Sequence, residues 1–178
     1  SYLMKFGTFD LRPFGGLQYF KVDKGTSSTL TDDLDIYSYV IGIDSEITIG
    51  AFSIVPQIAY GQNWGNARWA TGRWGGKSDV TRRDFEAYRL DRASLNSAGD
   101  DTKDAESWSA GIAAILKFTD TLKFEAGVGY RNDDADRPGV DDAVAWETYI
   151  QAVITLAKGV YLVPEIGYID FGDDPVTD

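Results

Sequence analysis

From Leu122 to Arg131 the chain alternates without a break, with Leu122, Phe124, Ala126, Val128 and Tyr130 set against Lys123, Glu125, Gly127, Gly129 and Arg131. Successive side chains of a strand point to opposite faces, so this stretch makes one oily face and one polar face. The pattern recurs along most of the chain. It predicts a stub at residues 1–6 and strands over 11–22, 34–44, 49–64, 106–118, 122–131, 144–156 and 160–171. Most run about ten to sixteen residues, whereas soluble strands usually have about five or six. A tilted strand that crosses a bilayer needs about nine to eleven. The connections alternate as well. Those at 45–48, 119–121 and 158–159 are short, and those centred near residues 28, 85 and 137 are long. Short turns at one end and long loops at the other mark spanning barrels.

One strand is written twice. Residues 54–60 read Ile-Val-Pro-Gln-Ile-Ala-Tyr and residues 162–168 read Leu-Val-Pro-Glu-Ile-Gly-Tyr, with a looser copy at residues 11–17. Such self-similarity points to a repeated structural unit. In both full copies the apolar residues and the terminal Tyr share one face, and Gln57 or Glu165 lies on the other. Pro13, Pro56 and Pro164 donate no ladder hydrogen bond, so they are expected near the turn-side rim or at bulges.

Composition narrows the chemistry. There is no Cys and no His, which removes thiolate sites, the commonest general base and the commonest metal ligand. A net charge of −11 disfavours nucleic acid as a partner. No apolar run is long enough for a spanning helix, but a barrel hides its apolar band by alternation. Mean hydropathy of −0.25 fits either a barrel or a soluble protein. The absence of a basic-apolar leader and the finish at Asp178, in an apparent loop, read as a mature segment cut at both ends.

The faces show what each side meets. Tyr60, Trp64, Trp108, Tyr130, Trp146 and Tyr168 stand near strand ends on the apolar faces, as rings do where hydrocarbon meets water. The polar faces carry Arg12, Gln57, Lys123, Glu125 and Arg131, then Glu147, Gln151 and Glu165, all candidate pore-lining residues. Glu125, Glu147 and Glu165 are expected to pair with Lys123 and Arg131 across neighbouring strands. Residues 66–104 form a long Arg-rich loop inserted in the one barrel domain at 1–178, with a short helix expected near 80–93. If the loop folds inward, Arg82, Arg83, Arg89 and Arg92 oppose lumen carboxylates and form a charged constriction. The alternative is an outer loop packed on a neighbouring subunit or on lipopolysaccharide. Asp133, Asp134 and Asp136, in an acidic outer loop, are weak metal candidates. Loosely bound Ca or Mg is the most they imply, because the spacing of a helix-loop-helix calcium site fails. No cofactor and no catalytic residue is expected.

Three segments carry a family resemblance: Leu122–Tyr130 (LKFEAGVGY), residues 61–73 (GQNWGNARWATGR) and residues 159–171 (GVYLVPEIGYIDF). They resemble the homotrimeric outer-membrane porins of Desulfovibrio-type bacteria. The resemblance implies the C-terminal half of a barrel of about sixteen strands, assembled as a trimer and passing small hydrophilic solutes. It covers most of the chain after about residue 45. The N-terminal strands of such a porin and its last, aromatic-ended strand are missing, so an incomplete barrel is implied.

The expected fold is therefore all-β: an antiparallel transmembrane β-barrel, a porin-like meander of long strands, and a segment of a larger barrel. The expected function is passive diffusion of ions and small hydrophilic solutes, without enzymatic activity. Membrane lipid and lipopolysaccharide are the expected surroundings, in the cell outer membrane of a Gram-negative organism. The alternatives are a small eight-stranded anchor or adhesion barrel, and a soluble carbohydrate-binding β-sandwich with its aromatic residues in the core.

Overall fold

The computed structural model describes residues 1–26, 30–67, 90–136 and 139–172. Its strands are β1 (Met4–Phe6), β2 (Phe9–Val22), β3 (Leu34–Ile49), β4 (Phe52–Gln62), β5 (Ser94–Leu95), β6 (Thr102–Lys103), β7 (Glu106–Lys117), β8 (Leu122–Asp134), β9 (Ala143–Ala157), β10 (Val160–Leu162) and β11 (Glu165–Asp170). Nine of them form one sheet in the order β1-β2-β3-β4-β7-β8-β9, with β10 and β11 both on β9. Every pairing is antiparallel. Among the described residues the sheet is open, and no pairing joins the β11 side to the β1 side. Only β5 and β6 stand apart, as a small hairpin inside the long loop.

The alternation sets the strands, and glycine sets several ends. The chain does not turn at 45–48: β3 continues to Ile49, because Ile47 and Ile49 keep the oily face going. The turn waits for Gly50, whose φ of +64° suits a residue without Cβ. The doubled strand also comes out unequally. The first copy is continuous in β4, while the second breaks at Val163–Pro164 into β10 and β11. There the Ala152 N–H donates to the Pro164 carbonyl at 3.0 Å. Pro56 is not at the rim but inside β4. The β3–β4 ladder skips Ser45, Glu46, Val55 and Pro56, since proline has no N–H to offer.

One face of the sheet is oily and exposed. Ile58 is 52 %, Phe124 40 % and Ile150 53 % accessible. The register places Ile58 beside Ala110, Phe124 beside Leu116 and Ile150 beside Ile166. The opposite face carries small and polar residues and is the shielded one, with Ser38, Ala59, Ser107 and Ser109 almost wholly buried. A soluble sandwich would hide the first face and wet the second.

On the shielded face two glycines are roofed by aromatic rings from the neighbouring strand. Phe14 covers Gly42, its register partner, and Tyr149 covers Gly127. Such ring-over-glycine pairs pin register where a side chain is missing. Gly127→Val drives a side chain into the Tyr149 ring and should cost about 1–3 kcal/mol, read as a lower urea midpoint for the refolded protein in lipid vesicles.

Candidate functional site

The shielded face of the wall and the stalk of the long loop meet in one place. Arg12, Asp44, Gln57, Gly111, Gly129 and Glu147 form a single row across six strands. Glu125, Gln151 and Glu165 form another across β8, β9 and β11. Lys123 and Arg131 alternate onto this same face of β8. The eight wall residues expected from the sequence therefore share one side of the sheet. Arg82, Arg83 and Arg89 lie outside the described residues, as do residues 80–89 of the expected helix. Residues 90 and 91 make a turn, followed by a bend at Arg92.

The ion pairing differs from expectation. Among the described residues, Glu125, Glu147 and Glu165 make no salt bridge with Lys123 or Arg131. The register explains this: Glu147 faces Gly129 and Glu125 faces Gln151, so neither meets a cation directly. Glu125 instead accepts from the Tyr149 hydroxyl at 2.5 Å. Arg12 is neutralised by its register partner Asp44, with Nε 2.9 Å from Oδ1. Arg131 turns toward the loop end of the wall. Its Nε reaches Asp133 Oδ1 and its Nη2 reaches Asp91 Oδ2, each at 2.9 Å.

Asp91 belongs to the loop, so this contact ties the loop to the wall. The tie begins at Asn63, the first residue beyond β4. Asn63 has a φ of +54°, a left-handed conformation tolerated best by Asn after Gly. It turns the chain off the strand path toward the shielded face. Its side-chain amide donates to the Tyr37 carbonyl (2.9 Å) and to Asp104 (2.7 Å), and its Oδ1 accepts from the Ala105 N–H (2.9 Å). Trp64 follows, with none of its surface exposed, and lies with Val40 and Ala59 in a cluster that Phe14 adjoins. Trp64 is thus an inward residue, not part of the exposed aromatic row. The left-handed turn at Asn63 breaks the alternation that would have placed it outside.

Two limbs make the stalk. The Gly65 N–H donates to the Asp91 carbonyl at 2.8 Å, and the Ala93 N–H donates to Asn66 Oδ1 at 2.8 Å. A Cβ on Gly65 would strike the Asp91 and Arg92 side chains. Arg92, the one loop arginine of the expected constriction that is described, lies in this stalk with Nε 3.9 Å from Asp91. Asn63 was not singled out from the sequence, and Trp64 was expected in the outer aromatic row. The available signal was an Asn interrupting a strand just before a Trp.

The acidic outer loops are partly used by the protein itself. Asp133 and Asp134 point to opposite faces of β8, and Asp133 is held by Arg131. Asp134 accepts from the Asp136 N–H at 2.9 Å. Asp33 accepts from the Lys24 N–H and lies 3.1 Å from Lys21 Nζ. These two donors hold its carboxyl below the usual carboxylate range. Among the described residues no three acidic side chains gather around a point where a metal ion could sit.

No family model matches the sequence, and no curated protein matches it either. Among solved structures, the outer-membrane expressed OmpT of Vibrio cholerae is similar. The two superpose with a TM-score of 0.55 and 18% sequence identity, over 94% of this chain and 43% of the other. This chain thus spans less than half the length of that one. At such identity the likeness carries the fold alone: the antiparallel meander of an outer-membrane β-barrel.

Replacing Asn63 separates its two roles. Asn63→Gly keeps the left-handed turn and loses three side-chain hydrogen bonds; Asn63→Ala also adds backbone strain of about 1–2 kcal/mol. Both variants should be cut faster by protease between residues 66 and 104 than the parent, with Asn63→Ala the faster.

Proposed function

We propose that this chain is part of the wall of an outer-membrane porin, through which ions and small hydrophilic solutes diffuse passively. The observation that carries this reading is the inversion of the two faces. The oily side is exposed, and the polar side is shielded and receives the loop. Lipid is the solvent that makes such an arrangement stable, since the hydrogen-bonded sheet leaves only apolar side chains to face it.

The aromatic pairs support the same reading. Toward the loop end of the exposed face stand Tyr19–Tyr37, Trp108–Tyr130 and Trp146–Tyr168, with ring centroids 5.1, 4.8 and 5.3 Å apart. Toward the turn end stand Phe6–Phe9 and Phe118–Phe124. Trp108 and Phe118 are ten residues apart. That is about 33 Å of strand, or about 25 Å of height at a tilt of about 40°, the thickness of the apolar band of a barrel. The proposed location is the outer membrane, with lipid and lipopolysaccharide as surroundings, loosely held divalent cations at the acidic loops, and a homotrimer as the assembly. The open sheet is consistent with a segment of a larger barrel. No chemistry is proposed: the chain lacks His, and selection rests on pore width and lining charge.

Planar-bilayer recording of the full-length protein tests the pore. Large, steady currents are expected, and a folded barrel that carries none would retire the reading in favour of a small filled barrel, whose interior its own side chains occupy. The lipid-facing assignment is checked separately by tryptophan fluorescence. Lipids brominated near the headgroup should quench the parent more than a Trp108→Phe variant. Reversing the charge at Arg82 and Arg83 should move the reversal potential toward cations if the loop lines the constriction, and leave it unchanged if the loop lies outside.

A further inference from the structure

Arg131 presents an unusual set of contacts for a residue on the polar face of a pore wall. One edge of its guanidinium is held by Asp133, two residues along on the same strand and face, and the other edge by Asp91 of the stalk. Its flat face lies over Trp64, 5.4 Å from the ring centroid. The residue is only 8 % exposed. A side chain enclosed in this way offers little charge to passing solute; it joins the two limbs of the stalk to β8. Only a planar, forked cation can serve two carboxylates edge-on and an indole face-on together, and an ammonium cannot.

We propose that Arg131 is the positioning residue that sets the bore of the pore, by clamping the stalk at residues 64–66 and 90–93 against the shielded face of the wall. This rests on the pore reading above. The clamp is built from both sides. Small residues on β3, β4 and β7 (Ser38, Ala59, Gly61, Ser107 and Ser109) clear the wall beneath it. A Cβ at Gly61 would collide with the Tyr39 carbonyl and with the Trp64 indole, so the wall is bare where Trp64 seats. The stalk contributes Gly65 for the close approach of its limbs and Asp91 for the charge.

The test separates placement from lining charge. Arg131→Lys keeps the charge and loses the fork. Asp91→Asn leaves the wall intact and breaks only the stalk's arm. Both variants are prepared as the full-length protein, checked for folding by heat-modifiable gel migration, and recorded in planar bilayers under a KCl gradient. The expected result is loss of the parental unit conductance in favour of larger, fluctuating steps, with a higher solute-exclusion limit in vesicle-swelling assays. The reversal potential of Arg131→Lys should stay at the parental value. Parental conductance and exclusion limit in both variants would overturn the proposal. So would a shifted reversal potential in Arg131→Lys at unchanged conductance, which would make Arg131 an exposed lining charge. If Arg131→Lys fails to fold, Asp91→Asn decides. A parent that conducts while the variants match it defeats only the clamp; a silent parent defeats the pore reading and the clamp with it.

Discussion

Every long strand here has to suit two surroundings at once, and the hydrogen-bonded ladder between strands is what allows it. Once backbone donors and acceptors are satisfied within the sheet, each face is judged by its side chains alone. The period of two then divides the chain into an oily side and a polar side, and one register error would exchange them. The observed register keeps Ile58, Phe124 and Ile150 on one side across β4, β8 and β9, and Gln57, Glu125 and Glu147 on the other. Proline coincides with a break in the ladder at Pro56 and Pro164, whereas Pro13, expected at a rim or bulge, lies inside β2 opposite Ile43 in an unbroken β2–β3 register.

The polar side is not uniformly available to solvent. Near the loop end it is cleared by Ser, Ala and Gly and then covered by Trp64 and the stalk, which makes a small dry cluster on the polar face of the wall. Charges there are spent on structure, with Arg131 between two aspartates. Elsewhere on this face the carboxylates Glu125, Glu147 and Glu165 make no such pairs among the described residues. Burying an ion pair is costly, and three partners around one guanidinium are what offset that cost.

Strand identity, face assignment and the long-loop, short-turn alternation could all be read from the residues, because each depends on neighbours two apart in sequence. Errors arose where one residue's backbone conformation decided the path. The turn moved from 45–48 to Gly50, and Trp64 moved from the outside to the inside because Asn63 is left-handed. Ion partners were also misassigned. Arg131 and Glu147 lie on one face, yet the register sets Glu147 against Gly129 and sends Arg131 toward an aspartate forty residues earlier.

What the sequence settled unaided is the two-faced character of the wall: alternation over runs this long has few other solutions, and no fold can change which side chains share a face of a strand. What only the tertiary structure decided is what lies against each face and how the charges pair. Those depend on register between strands and on a left-handed turn that brings Asp91 to Arg131, distances that neither the spacing nor the composition of the chain encodes.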